Sequence, residues 1–538
     1  MTTQRSIFPN EPDGSRLFDV IVVGGGCVGT AVAMFAARNG FQTALVEKDD
    51  FGAGATGAST EMVHGGLQYL FQLRLGIVRQ SNEYARRIVA SARHLCRPLP
   101  IVVPCYRGGP IPWPALRLVM RLYERYNRRY KHAPPAAPLT ASQVVARVPG
   151  IRREGLTGGM LYHEWWIDAA RLCLTNALDA ASHGAVVHNH ATVVGLGRAP
   201  NGNWVVAIDD TRSGARHRLM SRVVVNATGP WTDRFIQLAG DNAPPRIRPT
   251  RGAHVFVPKV ADVALLVHFV DGRFGIVLPR GHQSMIGTTD DDYYGDLDDL
   301  HATADEAAYL VQGAQRFLPE LTVDRIIDTK VGIRPTIFQY GKNEDKLSRR
   351  HCVEAHVDRS LDGLISVYGG KLATHTLMAE DVLHIVASRL DRSINIPANY
   401  LLHGTPDDDI EDFRRRVAQT PARHGLAAEV FDQLVGRYGT GYERIVELIS
   451  SQPALAENLC RCRRDDRTAQ HVLAAEVHYA YAEEMALTGE DIRRRTGLGL
   501  GQCRQADCLD RATAILRTLV CRTTDSAAGP HGAPTATR

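Results

Sequence analysis

Short uninterrupted apolar runs alternate with glycine-bearing turns in the first part of the chain. Residues 20–23 and 43–46 are such runs, and each reads as a strand of a parallel sheet buried on both faces. Between them, residues 30–39 have helical character and close at Gly40. A third run, Val223-Val224-Val225, enters the turn Thr228-Gly229-Pro230, and residues 184–195 and 204–209 read as strands joined by a polar turn. From about Ile247 the pattern changes to period two, as in RGAHVFVP, FGIVLPR and SMIGTTD, which suits an antiparallel sheet. Beyond about His403, Ala, Arg, Glu and Leu recur at helical spacing and predict a separate helical domain. The N-terminal residues through Arg16 and the tail after Thr523 are polar or Ala/Gly/Pro/Thr-rich and read as disordered.

The turn between the first two runs carries chemistry. Gly24, Gly26 and Gly29 form a GxGxxG spacing between a strand and a helix, and the second strand ends in Glu47. Gly24 makes the tight turn, Gly26 lets a pyrophosphate approach the backbone, and Gly29 lets helix and strand pack closely. The helix N-terminus offers free N–H groups to that pyrophosphate. Glu47 stands where a carboxylate accepts hydrogen bonds from ribose hydroxyls. Strand, helix, second strand and acid in this order predict a dinucleotide site. The rival is a glycine-rich turn in an ordinary βαβ unit.

A chain of 538 residues predicts two or three domains. Its net charge of +5 is small for that length and gives no argument for nucleic acid. There is no apolar run of the ~20 residues that a membrane-crossing helix needs. Nor does the N-terminus carry a signal-peptide core, so a cytoplasmic location is expected. Ten cysteines are then read as reduced thiols.

Residues 48–70 contain GAGATGASTEMVHGGLQYL, a small-residue stretch suited to lie against a flat ligand. Its end, His64-Gly65-Gly66-Leu67-Gln68-Tyr69-Leu70, resembles the HGGLRYL block of FAD-dependent glycerol-3-phosphate dehydrogenases, in the D-amino-acid-oxidase-like flavoprotein superfamily. Ala227-Thr228-Gly229 resembles a second signature of two-dinucleotide-binding flavoproteins, and further matching family blocks are the Trp-acid-Ala-Arg-Leu pattern in residues 161–174, Arg251-Gly252-Ala253-His254 and Gly287-Thr288-Thr289-Asp290. Gly332-Ile333-Arg334-Pro335 and Gly369-Gly370-Lys371-Leu372-Ala373-Thr374-His375 complete them. Two departures remove positive charge: Gln68 stands for the family arginine, and Glu61 for a lysine common upstream. In residues 161–174, Asp168 is expected to cap a helix and nothing more.

The resemblance implies a discontinuous Rossmann-like FAD-binding domain, an inserted antiparallel substrate domain and a helical C-terminal domain. The boundaries expected are 17–110, 155–245 and 345–400 for FAD, 111–154 and 246–344 for the substrate or cap domain, and 405–523 for the helices. It implies oxidation of the secondary alcohol of sn-glycerol 3-phosphate to dihydroxyacetone phosphate, by hydride transfer to flavin N5, with electrons passed to quinone or another acceptor. FAD would contact Gly24, Gly26, Gly29, Glu47, Thr56, Ser59, His64, Gly65, Gly66, Thr228, Gly229, Gly369, Gly370, Lys371 and Leu372. His254 is the candidate base, since a histidine titrates near neutral pH. Lys371 would hold substrate oxygen or flavin as a point charge. Arg334 and Arg350, with Gln68 and Thr374, would hold the anionic group. The bland alternatives are a histidine satisfied by sheet neighbours at His254 and a structural ion pair at Arg334.

Two segments stay open. On a helix, residues 112–134 place Trp113, Leu116, Val119, Met120, Tyr123, Tyr126 and Tyr130 on one side, and Arg117, Arg121, Arg125, Arg128 and Arg129 on the other. This is either a core-facing helix with a solvated basic face or an interfacial helix on the inner face of the cytoplasmic membrane, as the peripheral aerobic family members imply. Near the C-terminus, Cys460 and Cys462 precede the run IRRRTGLGLGQC, then Cys503 and Cys508. The four thiols suit a [2Fe–2S] cluster, as in the small iron–sulfur domain of anaerobic-type members, or Zn²⁺, or are reduced cysteines without metal. Two rival functions remain: a flavoenzyme acting on another polyol phosphate, a 2-hydroxy acid or an amino acid, and a flavin redox partner without catalysis.

Overall fold

The computed structural model describes residues 16–64, 75–109, 112–127, 134–240, 243–341, 350–357, 360–460, 471–499 and 506–527. The chain divides into two compact units, Ser6–Asp407 and Asp408–Arg538.

The larger unit is built on two sheets. The first runs in the order His351–Ala355, Leu364–Gly369, Arg216–Asn226, Leu17–Val23, Thr43–Val46, Val186–His188. The last five of these are mutually parallel, as the apolar runs predict, and Val20, Ile21 and Val22 are fully buried. The sheet as a whole is mixed: His351–Ala355, Trp204–Asp210 and Ala191–Arg198 join it antiparallel. The strand expected over 184–195 breaks in two at His190, whose φ of +56° turns the chain and sends its N–H to the Asp49 carbonyl. Helix Cys27–Arg38 starts three residues before the expected Thr30, because the glycine turn passes into it directly with Gly26 as N-cap. The chain leaves Leu17–Val23 toward Thr43–Val46 on one side and returns on the other as Arg216–Asn226. That reversal makes a crevice outside the carboxyl ends of the strands.

The second sheet has ten strands and is antiparallel except where Ala264–His268 lies parallel to Cys96–Tyr106. Cys96–Tyr106 and its partner Leu156–Ile167 belong here, although residues 17–110 and 155–245 were expected in the FAD domain. Their apolar faces pack with Leu116, Met120 and Tyr123 of helix Trp113–Asn127, so this sheet rather than the first buries them. Period two sorts the strand Ile247–Pro258. Ala253, Val255 and Val257 face helix Ala304–Gln315, which leaves Gly252 and His254 on the opposite face.

The smaller unit is helical. Helices Ile410–Val417, Ala428–Tyr438, Tyr442–Ser451, Ala474–Ala482, Gly489–Thr496 and Ala506–Ala527 enclose a core that includes Phe413, Phe431, Leu434, Ile445 and Leu516. Glu476, fully buried, is held by Arg437 at 2.8 Å and the Tyr438 hydroxyl at 2.9 Å. Part of the arginine run is structural as well: the buried Arg495 guanidinium donates to the Glu484 carbonyl at 2.7 Å. Cys460 and Cys508 are buried in this same core, whereas Cys462 and Cys503 lie outside the described residues.

Candidate active site

A cavity of about 1370 Å³ opens at the crevice and runs under the second sheet. Pockets for drug-sized ligands span ~300–1,000 Å³, so this one has room for a dinucleotide and a small substrate together.

One end of it is backbone. Gly24 has a φ of +111°, and a Cβ there would meet the Ala227 carbonyl oxygen at 2.5 Å. A Cβ on Gly29 would stand 1.9 Å from the Gly24 carbonyl oxygen, so Gly29 packs helix to turn and does not line the cavity. Gly26 differs. Only the Thr56 hydroxyl, at 3.3 Å, lies near its Cβ position, and Gly26 faces the cavity. Packing therefore does not demand a glycine here, whereas close approach of a ligand would. Helix Cys27–Arg38 begins at this wall with Gly26 as N-cap; the Cys27 N–H donates to the Thr56 hydroxyl at 3.2 Å, and the positive end of the helix faces the cavity, where an anion is favoured. Glu47 lines the cavity and accepts from the backbone N–H groups of Gly25 and Asp49; burial pushes its carboxyl pKa up. Thr56, Ser59, Thr228 and Gly229 also line this region. At the rim the Lys48 ammonium lies 4.0 Å from the Trp231 ring centroid, and Asp298 accepts from the Trp231 indole at 3.0 Å and from Arg234 at 3.2 Å.

The other end is side chain. His254 is 3 % exposed and lines the cavity, and neither ring nitrogen has a hydrogen-bond partner. Burial lowers its pKa to about 3, helped by the nearby charges of Lys330, Arg334 and Arg280, so the imidazole is neutral. Its polar neighbour in the sheet is the Lys330 backbone on the adjacent strand, which raises the ring's pKa slightly against the burial. Arg334 also lines the cavity. Its guanidinium lies over Gly252 and donates to Asp290 at 3.0 Å and to the Thr288 hydroxyl and Thr289 carbonyl at 3.0 Å each. It is thus in an ion pair and in the cavity at once. Gly369, Gly370, Lys371 and Leu372 complete the wall after strand Leu364–Gly369. His64 lines it too, with a pKa lowered to about 4 by burial and by Lys371.

Two further expected contacts do not reach the cavity wall, and three lie outside the described residues. Thr374 turns back on its own helix start, donating to the Lys371 carbonyl at 3.3 Å. The Arg350 side chain is exposed, and it is its carbonyl, accepting from the Gly370 N–H at 3.1 Å, that supports the turn. Gly65, Gly66 and Gln68 lie outside the described residues. Asp168 is the expected cap, accepting from the Arg171 N–H at 2.9 Å.

The negative charge that Glu61 brings is balanced by neighbouring cations. Its buried carboxylate forms an ion pair with Arg280 and lies 3.7 Å from the Lys330 ammonium, so two cations answer one anion. Arg280 also stacks over Trp166, 5.1 Å from the ring centroid. Sequence reading missed Arg280 and Lys330. The signal for Lys330 was period two, since Lys330, Gly332 and Arg334 share one strand face and pair across from His254, Gly252 and Thr250.

Comparison with known proteins agrees with this geometry. Residues 19–380 match the family described as FAD dependent oxidoreductase, and residues 399–523 match the C-terminal domain of alpha-glycerophosphate oxidase. The chain is 33% identical to a glycerol-3-phosphate dehydrogenase of Mycobacterium leprae, over 90% of this chain and 81% of that protein. It is 28% identical to the aerobic glycerol-3-phosphate dehydrogenase of Bacillus subtilis, over 90% and 87%. The glycerol-3-phosphate dehydrogenase of Bacillus halodurans, solved with FAD, superposes with a TM-score of 0.75 at 25% identity, covering 95% of this chain and 91% of that one.

Proposed function

The chain belongs to the FAD-dependent glycerol-3-phosphate dehydrogenase family, and from that premise we propose that it oxidises the secondary alcohol of glycerol 3-phosphate to the ketone. The observation that carries the proposal is His254, a buried neutral imidazole with two unpartnered nitrogens, sharing a cavity with Arg334. The glycine cradle fits FAD, because the Gly26 Cβ position is open to the cavity beside the positive end of helix Cys27–Arg38. FAD, when bound, supplies the two-electron hydride acceptor that no side chain of this chain provides. Gly24, Gly26, Glu47, Thr56 and Gly369 through Leu372 would hold it.

The chain's own residues do the rest. A ring nitrogen of His254 takes the hydroxyl proton as the carbon gives up its hydride. Burial supplies the neutral form this needs but, by lowering the pKa to about 3, makes the free-enzyme ring a weaker base than an ordinary histidine. The charge developing beside it in the reaction must therefore favour the protonated ring. Arg334 fixes the phosphate, held in place from behind by Asp290. Lys371 supports the oxygen on which negative charge develops. Gly252, Gly332 and Ala58 form a closely packed part of the wall, where a Cβ on Gly332 would stand 2.7 Å from Ala58. The test is anaerobic bleaching of the bound flavin by a panel of glycerol 3-phosphate, longer polyol phosphates, 2-hydroxy acids and amino acids. Bleaching by the phosphate is expected. Bleaching only by acids would transfer the site to the acid-oxidising reading, and none at all would favour a redox partner without catalysis.

Finer features extend the same reading. Helix Trp113–Asn127 buries Leu116, Met120 and Tyr123, while Leu118 and Leu122 are 59 % and 55 % exposed among Arg117, Arg121 and Arg125. A basic, leucine-bearing outer face suits the surface of an anionic membrane, where a quinone acceptor would be met. No helix among the described residues is long and apolar enough to cross a membrane. Salt-sensitive sedimentation with anionic vesicles, lost in Arg121→Glu/Arg125→Glu, checks this. Cys460 and Cys508 share one apolar core, as two ligands of a [2Fe–2S] cluster would. Iron and sulfide analysis of anaerobically purified protein decides between a cluster and free thiols.

A further inference from the structure

Glu61 is an unusual residue to find where it is. It is 6 % exposed, lines the cavity beside His254, and holds a backbone φ of +58°, a conformation that non-glycine residues seldom adopt. Backbone strain of this kind persists where surrounding structure fixes it, and often at functional sites. Here the fixing is visible: the Glu61 carbonyl accepts from the Ile167 N–H at 3.0 Å, its N–H donates to the Ser59 hydroxyl at 3.1 Å, and its carboxylate is gripped by Arg280 and Lys330. Two cationic side chains therefore pair with one buried carboxylate. An ionised carboxylate has about four acceptor positions, and two cation contacts leave capacity for a donor entering from the cavity.

The direction of the site follows from the strand register. Arg334 pairs with Thr250 at one end, Gly332 with Gly252 in the middle, and Lys330 with His254 at the other end. Residues four apart on a strand are separated by ~13 Å, and inward-reaching side chains close part of that span. Glu61, tied to Lys330, therefore stands at the His254 end, away from Arg334. A substrate with its anionic group at Arg334 and its reacting carbon by His254 sends its remaining terminus toward a carboxylate. A hydroxyl donates to that carboxylate; a second carboxylate or phosphate is repelled by it.

We propose that Glu61 is a specificity residue that accepts a hydrogen bond from the terminal hydroxyl of a polyol phosphate, with Arg280 and Lys330 as the positioning residues that hold its carboxylate in place. This rests on the reading of the site as a polyol-phosphate dehydrogenase. Sites that hydrogen-bond a substrate hydroxyl discriminate strongly against the analogue lacking it, because a buried polar group is then left unmatched.

The experiment measures kcat/KM of the FAD-loaded enzyme, with a soluble dye as acceptor, for glycerol 3-phosphate and for propane-1,2-diol 1-phosphate, which lacks only the terminal hydroxyl. The wild-type ratio is expected to be ten-fold or more in favour of glycerol 3-phosphate. Glu61→Ala should bring it below three-fold, and the near-isosteric Glu61→Gln, which retains a neutral acceptor, should lower it by at least three-fold. A wild-type ratio below three-fold overturns the proposal without any variant. So does an unchanged ratio in whichever variant retains its FAD. Failure of the underlying reading is distinguishable from both: the wild type would then turn over neither compound while still carrying FAD.

Discussion

The two ends of the cavity are made of different material. The cradle end is mostly backbone, centred on the stretch from Gly24 to Glu47 and completed by Thr56, Gly229 and the Gly369-Gly370 turn, where glycines either touch neighbouring backbone or leave room for a ligand. The substrate end is side chain, assembled from Glu61, His254, Arg280, Lys330, Arg334 and Lys371 on five segments of the chain. A backbone site tolerates no added atom but needs no particular charge. A side-chain site depends on charge balance, and a change at one position is answered at another, as Arg280 and Lys330 answer Glu61.

Substitutions at the cradle should have the largest effects and should split by position. Gly29→Ala puts a methyl 1.9 Å from backbone oxygen and is expected to prevent folding of the larger unit, read as loss of soluble protein or of its cooperative melt. Gly26→Ala has only a hydroxyl at 3.3 Å to displace and should fold yet bind FAD weakly, while Gly26→Val should bind none. Equal FAD content in Gly26→Val and wild type would remove Gly26 from the cradle. At the other end, Arg334→Ala should lower kcat/KM for glycerol 3-phosphate by about a hundred-fold or more, since charge-assisted hydrogen bonds are worth ~1.5–3 kcal/mol each and Asp290 loses its partner. Activity within three-fold of wild type would dismiss Arg334 as the anion site.

Acid should strain the substrate end. His254 falls from 6.5 to about 3, and His64 and His375 to about 4, all because burial disfavours the charged ring. In the unfolded chain these rings protonate near 6.5, so the unfolded state binds more protons at any pH between there and the folded values. The stability contributed by neutral burial is complete above 6.5 and is lost as pH falls through that window. Each ring contributes up to about 1.4 kcal/mol per pH unit. Denaturant titrations at pH 7 and pH 5 should show this, with a shallower loss in His375→Gln; flat stability across the window would contradict the neutral assignment. The smallest effect is expected at Gln68→Arg, which restores the arginine of the family block. It should lower the apparent KM for glycerol 3-phosphate, by at most about ten-fold for one charged contact; a raised KM would mean that Arg334 and its neighbours already complete the anion site.

The same contrast explains what was legible in the sequence. Gly24, Gly26, Gly29 and Glu47 were readable because strand, turn, helix and acid follow in one local order, and the spacing carries the geometry. The mixed character of both sheets and the transfer of Cys96–Tyr106 and Leu156–Ile167 to the second sheet were not, since an apolar run does not say which partner will bury it. His254 and Arg334 were found through the blocks around them. Glu61 was noticed as a loss of positive charge, but its balancing partners were not legible, because Arg280 and Lys330 approach it only through tertiary pairing 219 and more residues away in the chain. Arg350 and Thr374 were drawn from adjacent motif positions, and the fold turns both away from the cavity wall.

The claim on which the rest depends is that His254 receives the substrate's proton. Single-turnover flavin reduction by glycerol 3-phosphate under anaerobic conditions, in wild type and His254→Asn of equal FAD content, tests it directly. General bases typically contribute 10²–10⁴-fold, so the reduction rate of the variant should fall by about that factor while its bound FAD is unchanged. Reduction within three-fold of wild type would show that the proton leaves by another route and that the buried imidazole is a structural residue.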